Sequence, residues 1–479
     1  MKTDTKTGCP GLFVSALRGG SGKTILTIGI TAALKSLGKK TAPFKKGPDY
    51  IDAGWLSLAA GRPCYNLDTF LIEENLVLQS YLKNSYFADS DIAVVEGNRG
   101  LYDGSDLDGK TSTAETAKLL GLPVLLCLDC TKSTRTMAAA VLGCLHFDPD
   151  LTIGGVVLNR VAGPRHRKNL INNIEHHTGI PVLGSIPKLR THDFPERHMG
   201  LVPTFEHDWA LQSIKSAEKI ANEHLNLDAI INMAEEKTTT VISSDLKSSQ
   251  NLEVLEIATE KNNTGKKPLI GIIKDSAFQF YYPENIEALE KEGAEIIYIS
   301  PLRDDKLPEL DGLYIGGGFP ETHAKELAQN GAFRDGIKAL AEKEMPIYAE
   351  CGGMMYMGKE LVIEDEKFPM TGIFPISFSV SKKPQGHGYV VAKVVEKNPY
   401  FTVGEEIKGH EFRYSKIIEW DETENLTALN ITRGTGMKDK KDGILYKNVF
   451  ACYLHSHAAG NSSWAKNMVA VARKFSKIK

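Results

Sequence analysis

The chain has 479 residues, of which 42% are hydrophobic and 24% charged, and its formal net charge at pH 7 is −3. These values describe a globular chain long enough for two or three domains and exclude wholesale disorder or fibrous structure. Near-balanced charge argues against broad nucleic-acid binding, which leaves a strongly basic domain. No membrane helix is expected, because the longest apolar runs, such as Leu122 to Leu128, fall far short of the roughly 20 residues required. Met1 to Gly8 is polar without a signal-peptide core, so a cytoplasmic location is expected. The seven cysteines are scattered and form no disulfide framework. Cys127-Leu-Asp-Cys130 has CxxC spacing without a second CxxC, and reads as two small residues on a buried strand.

In chain order, short apolar runs alternate with longer helical stretches: GLFVSAL and a helix over Thr24 to Leu37, then DIAVVEG, LPVLLCLD, a helix over Thr134 to Leu145, IGGVVLNRV and IPVLGSIP. This alternation predicts a parallel sheet covered by helices on both faces. Near Leu225 the pattern fades, and residues 226–266, polar and lysine-rich, read as a linker. At Pro268 alternation resumes with LIGIIKD, a helix through Glu284 to Glu292, EIIYIS, DGLYIGGG, a helix through Lys325 to Ala341 and PIYAECGG. The expected organisation is therefore an ATP-binding domain over 1–225, a linker over 226–266 and a second α/β domain over 267–479.

The first strand runs into Arg18-Gly19-Gly20-Ser21-Gly22-Lys23-Thr24 and then an apolar helix, the context that a phosphate-binding loop requires. Glycines turn backbone N–H groups onto phosphate oxygens, the helix start adds positive potential, Lys23 reaches the terminal phosphates and Thr24 offers a hydroxyl to magnesium. Leu17 stands where the common GxxxxGK[ST] pattern has its first glycine, and the loop resembles the KGGxGKT form of partition ATPases, with Arg18 at their signature lysine. Glu96 ends an apolar strand, Asp103 follows in GLYDG, and Lys45-Lys46-Gly47-Pro48-Asp49-Tyr50-Ile51-Asp52 adds cations and carboxylates after another strand. Magnesium takes one or two such carboxylates together with phosphate oxygens.

In the second domain, IYAECGG places Cys351 between an apolar strand and a glycine turn, the pattern of a nucleophile elbow with an exposed thiolate at a helix start. His455, in Tyr453-Leu454-His455-Ser456-His457, is the candidate base. The glycines of Asp311-Gly-Leu-Tyr-Ile-Gly316-Gly317-Gly318 can aim N–H groups at an oxyanion.

Taken together, FKKGPDYID at 44–52, Asn66-Leu67-Asp68, EGNRGLYDG at 96–104, GVVLNRV at 155–161, PERHMGLVP at 195–203, FYYPEN at 280–285, GGGFPE, AECGGMMY, GHEFRYS at 409–415 and YLHSH resemble the cobyrinic acid a,c-diamide synthase family along nearly the whole chain. The resemblance implies an α/β fold: a P-loop, dethiobiotin-synthetase-like parallel-sheet domain followed by a class I glutamine amidotransferase (flavodoxin-like) domain. It implies a carbon-nitrogen ligase that uses ATP, Mg2+ and glutamine to amidate side-chain carboxylates of an anionic tetrapyrrole, with a homodimer as one expected assembly.

By the same resemblance, the loop Arg18 to Thr24 holds phosphate and magnesium; Asp49, Glu96 and Asp103 are magnesium or catalytic carboxylates; and Asn159 reads adenine. Tyr50 and Ile51 lie near the substrate carboxylates, Gly317, Gly318 and Gly352 line the oxyanion site, Cys351 is the nucleophile and His455 its base. GHEFRYS receives no role. Arg18 and Lys46 depart from the family form, and His457 replaces the acid of the common HxE ending, so the group that orients His455 stays open. Siroheme or nickel-sirohydrochlorin as the macrocycle remains a second reading. A partition-type ATPase switch, which would hydrolyse no glutamine, is the rival of another class.

Overall fold

The structure, a computed structural model, describes residues 8–188, 196–197, 200–201, 210–239, 266–420 and 426–478. The chain divides into two units, Met1–Ala258 and Thr259–Lys479. No helix among the described residues is long and apolar enough to cross a membrane.

The first unit is built on seven strands: β1 (Gly11–Ala16), β2 (Thr41–Lys46), β3 (Tyr65–Leu67), β4 (Ile92–Glu96), β5 (Val124–Asp129), β6 (Ile153–Val161) and β7 (Val182–Pro187). They form one sheet in the order β3-β2-β4-β1-β5-β6-β7, and every pairing is parallel. Because helices cover both faces, β1, β2 and β4 are buried at every residue and carry few polar side chains until their last positions. Polar residues at those ends, such as Lys45 on β2, Glu96 on β4 and Asn159 on β6, therefore gather along one edge, where open α/β sheets bind ligands. The register places Glu96 opposite both Val14 and Lys45.

Part of the stretch expected as a linker, residues 226–266, is helical. Leu227–Lys237 is a helix, capped by Asn226 Oδ1 accepting from Ala229 N at 3.1 Å. Its Ile230, Met233 and Ala234 are buried in the first unit's core beside Leu183 and Leu225. The polar residues between those positions are this helix's outer face, which composition alone reads as unstructured chain. The rest of the linker reading, residues 240–265, lies outside the described residues.

The second unit has a ten-stranded sheet. Five parallel strands, Glu295–Ile299, Leu269–Ile273, Gly312–Ile315, Ile347–Glu350 and Val449–Cys452, continue through antiparallel strands Lys441–Tyr446, Thr427–Arg433, Gly386–Val394, Glu406–Arg413 and His455–Ser456. A second sheet orders Glu366–Pro369, Glu360–Ile363, Ile376–Val380 and Ser415–Trp420. The single helix expected over Lys325 to Ala341 is two, Ala324–Gln329 and Gly331–Glu342, because Asn330 stops the first and caps the second, its Oδ1 accepting from Phe333 N at 3.2 Å. One face of the large sheet packs an aromatic cluster in which Tyr348 stacks on Phe450 at 5.5 Å with Tyr314, Tyr400 and Trp464 around it. That packing seats the strand leading to Cys351.

Candidate active site

The phosphate loop leaves β1 at Ala16 and enters the helix Lys23–Ser36 through Gly22, whose φ of 93° suits a residue without Cβ. A Cβ there would also stand 2.3 Å from Asn159 Nδ2. Around Gly19 and Gly20 there is open space, so this stretch of backbone is accessible to a ligand. Asn159, expected to read adenine, donates to the loop, Nδ2 to Ser21 O at 2.8 Å, and its Oδ1 accepts from Arg160 N. Arg160 holds the loop from the other side, bonding Gly20 O at 3.0 Å and Asp129 Oδ2 at 2.6 Å. Arg18, largely exposed, reaches the same Asp129 oxygen at 3.2 Å. Burial alone would raise the Asp129 pKa, but hydrogen bonds from Thr131 and Arg160 hold it down at about 2.

Below the loop lies a buried cluster. Thr24 Oγ1 donates to Glu96 Oε1 at 2.7 Å and lies 3.4 Å from Asp52 Oδ2, while Lys45 Nζ sits 2.7 Å from Asp52 Oδ2, 3.1 Å from Glu96 Oε1 and 4.0 Å from Asp49 Oδ2. Burial opposes the charge on Lys45, but Asp52, Glu96 and Asp49 more than offset it and its pKa is raised. Burial, reinforced by Asp52, pushes Asp49 up to about 6 and, against Lys45, Glu96 up to about 7. Lys23 is lowered by burial and then by the neighbouring charge of Lys45. Three carboxylates thus face two ammonium groups, and the fully buried Glu96 keeps Oε2 without a hydrogen-bond partner among the described residues. An excess of buried oxygen donors beside a hydroxyl and a phosphate loop fits a hard divalent cation.

The acidic residues expected at this site fall into different local settings. Asp49 serves mainly as the N-cap of the helix Tyr50–Ala60, its Oδ1 accepting from Ile51 N and Asp52 N. Asp52, one turn further and grouped by sequence reading with the acidic residues beside the loop but given no role of its own, carries the carboxylate nearest Lys45 and lies 3.4 Å from Thr24 Oγ1. The pairing was open to sequence reading, since Asp49 and Asp52 are i and i+3 at a helix start. Asp103 does not join the cluster: its Oδ2 accepts from Gly100 N at 2.8 Å and closes a turn. Ile51 packs toward the cluster of Trp55 and Ile28, and Tyr50 begins the same helix. Lys46 is buried and donates to Thr111 O, so its charge is spent inside the unit. An open cleft of about 450 Å³ lined by Val161, Pro164, Arg167, Lys168, Ile171 and Pro187 takes in part of the basic run after β6. Of PERHMGLVP, only Glu196–Arg197 and Gly200–Leu201 are described, as an antiparallel pair.

In the second unit, Cys351 follows the strand Ile347–Glu350 with φ 49° and ψ −101° and caps the helix Gly352–Met357. A positive φ at a non-glycine residue is the strained turn of a nucleophile elbow. Its N–H donates to Cys452 O at 2.7 Å. The thiol is not exposed as expected; only 5% of the residue is accessible. Gly317 Cα approaches His455 so closely that a Cβ would stand 2.3 Å from Cε1, and a Cβ on Gly352 would lie 3.0 Å from Gly318 N. The glycine loop, the elbow and the histidine are therefore in contact, as an oxyanion site requires. Hydrogen bonds from Gln279 N and Phe280 N to Gly317 O fix the loop's orientation. Gly317→Ala is expected to displace His455 and cut the rate of glutamine hydrolysis at least roughly tenfold, checked by glutamate release; an unchanged rate would show that the loop yields without moving the histidine.

His455 is buried, with Nδ1 3.7 Å from Glu350 Oε2 and its ring stacked on His410 at 4.9 Å and 19°. Burial works against its charge, but Cys351 and Glu350 reverse this and raise its pKa to about 10. His457, which stands where the common HxE ending has its acid, faces elsewhere: Nε2 lies 3.6 Å from Glu284 Oε1 and Nδ1 accepts from Ala459 N. His410 gives GHEFRYS a place at the site, and burial, followed by the charges of His455 and His457, holds its pKa well below the ordinary value. Glu411 and Arg413 of the same segment bond Gly436 N and Gly436 O, so they brace the adjoining loop.

Known proteins carry the same two-part arrangement. A family model described as a CobQ/CobB/MinD/ParA nucleotide binding domain matches residues 12–202, and one described as a CobB/CobQ-like glutamine amidotransferase domain matches residues 269–463. A cobyrinate a,c-diamide synthase of Magnetococcus marinus is 43% identical over 95% of this chain and 96% of its own. Proteins of the same name from Archaeoglobus fulgidus and Listeria innocua are 36% and 37% identical, each over 97% of this chain and 98% and 99% of their own. With a nucleotide-binding unit and a cysteine elbow matched in order along the chain, the protein belongs to the cobyrinate a,c-diamide synthase family of glutamine-dependent ligases.

Proposed function

We propose that this chain amidates the a and c acetate carboxylates of a cobyrinate-type tetrapyrrole, using ATP to activate each carboxylate and glutamine as the source of ammonia. The observation that carries this reading is the buried set Thr24, Lys45, Asp52 and Glu96 beneath the phosphate loop, in a chain that also holds a cysteine elbow in contact with a histidine. A carboxylate is a poor electrophile. Its oxygen attacks the terminal phosphorus of ATP, ADP leaves, and the resulting acyl phosphate accepts ammonia at carbon and releases phosphate.

Lys23 binds the terminal phosphates and offsets charge on the phosphoryl oxygens as the group moves, and Lys45 balances the buried carboxylates of Asp52 and Glu96. Thr24, Asp52 and Glu96 are the residues that would hold Mg2+, rather than Asp49 or Asp103. Bound there, the ion would offset phosphate charge. In the second unit, Cys351 Sγ attacks the glutamine amide carbon while backbone N–H groups of the glycine loop hold the oxyanion. His455 protonates the departing ammonia and then takes a proton from the water that cleaves the thioester.

The test is mass spectrometry of cobyrinate, siroheme and nickel-sirohydrochlorin after incubation with the protein, ATP, magnesium and glutamine. Replacement of two hydroxyls by two amino groups on cobyrinate alone is the expected product. Amidation of a sirohydrochlorin-type macrocycle in its place would overturn the substrate, and glutamine hydrolysis with no macrocycle altered would overturn the ligase reading.

A further inference from the structure

Glu350 comes from the same strand as the nucleophile and immediately precedes it, and Tyr348 and Glu350 share a face of that strand because side chains alternate. Both point toward Ser456: Tyr348 OH lies 3.4 Å from Ser456 Oγ, and Glu350 Oε1 accepts from Ser456 N at 3.2 Å and Ser456 Oγ at 3.3 Å. Glu350 Oε2 accepts from Tyr314 OH at 3.2 Å. Asn285 ties the assembly together, with Nδ2 donating to Tyr314 OH at 3.2 Å and to Ser456 O at 2.9 Å, and Oδ1 accepting from Ala458 N at 2.7 Å. The side chain of Glu350 is fully buried. A buried carboxylate needs hydrogen bonds and a compensating charge. Tyr314 and Ser456 supply the first, and the cation within reach is an imidazolium at His455, 3.7 Å away.

The other nearby acids are committed elsewhere. Asp442 accepts from Tyr453 N and Leu454 N, Glu411 accepts from Gly436 N, and Glu284 stands beside His457. His455 is thus faced by Cys351 and Glu350 from the elbow, by Gly317 from the glycine loop and by His410 from the strand Glu406–Arg413, behind which stands Tyr282, its OH 3.3 Å from His410 Nδ1.

We propose that Glu350 is the positioning residue of the glutaminase: its carboxylate accepts a hydrogen bond from the Nδ1–H of His455, turns Nε2 toward Cys351 and stabilises the imidazolium, the role that an acid two residues after the histidine would otherwise fill. The separation of 3.7 Å exceeds a hydrogen bond, and such contacts tighten when the substrate complex forms. His410 keeps the ring plane fixed while this happens. The inference rests on the reading of Cys351 and His455 as the reacting pair.

The experiment compares the wild type with Glu350→Gln, Glu350→Asp, Tyr314→Phe and Cys351→Ala in the full chain, measuring glutamine hydrolysis and the pH dependence of Cys351 alkylation by iodoacetamide, followed at its own peptide. Glu350→Gln is expected to lower kcat at least roughly tenfold with little change in KM, and to move the alkylation midpoint up by about one pH unit, because a less stable imidazolium supports less thiolate. Glu350→Asp should recover part of both. Tyr314→Phe, which leaves the carboxylate but removes one of its donors, should shift the midpoint in the same direction by less, and it decides the matter if Glu350→Gln does not fold. An unmoved midpoint in Glu350→Gln, or in Tyr314→Phe where that variant decides, overturns the assignment. Continued glutamine hydrolysis by Cys351→Ala overturns the underlying reading instead.

Discussion

Cys351→Ala should lose glutamine-dependent amidation by at least roughly a thousandfold while keeping amidation driven by ammonium salts. The physical reason is a division of labour. In the proposed mechanism the thiol forms and breaks the thioester, whereas the acyl phosphate accepts ammonia whatever its origin. Parallel assays with the two nitrogen donors, on a variant whose thermal unfolding matches the wild type, make the comparison. Equal loss with both donors in a folded protein would assign Cys351 a part outside glutamine hydrolysis.

Glu96→Gln should lower amidation from both donors by about a hundredfold or more, since it removes a carboxylate that the proposed mechanism gives to Mg2+. The substitution keeps size and an acceptor for Thr24, which donates to Oε1 at 2.7 Å. Folding should survive it, because burial already disfavours the charge and its pKa stands at about 7. Asp52→Asn should follow the same pattern, while Asp103→Asn, which alters the cap on Gly100 N, should lose far less. Steady-state rates with saturating ammonium separate these outcomes. A near-normal rate in Glu96→Gln would remove the cluster from the chemistry.

Much of this was legible in the sequence, and the parts that were not share a cause. The phosphate loop, the elbow at Cys351 and the strand end at Glu96 are local patterns, in which neighbouring residues dictate the backbone that carries the chemistry. The glycine loop and His455 were also legible as candidates, although their contact depends on strands far apart in the chain. What could not be read was which atom each polar group meets. Asp49 and Asp52 are both acidic and one helical turn apart, yet the first caps orphan N–H groups and stays 4.0 Å from Lys45 while the second pairs with Lys45 at 2.7 Å. His455 and His457 lie two apart, and their partners, Glu350 and Glu284, come from different segments. The helix Leu227–Lys237 was hidden for a related reason, since three buried residues suffice to dock it and the rest of its composition is that of a solvent-facing surface. The antiparallel half of the ten-stranded sheet gave no helix alternation to follow.

The backbone at Cys351 sets the nucleophile at odds with its own scaffold. Holding a side-chain-bearing residue at φ 49° and ψ −101° costs on the order of 1–3 kcal/mol, a sizeable fraction of the margin by which a domain stays folded. A glycine at this position would relieve that strain and remove the proposed nucleophile. Mutational drift in a population that no longer used glutamine would therefore be drawn to this codon by stability alone. Persistence of cysteine at the elbow then becomes a sign of continued selection on the chemistry, readable in descendants of this chain without any assay.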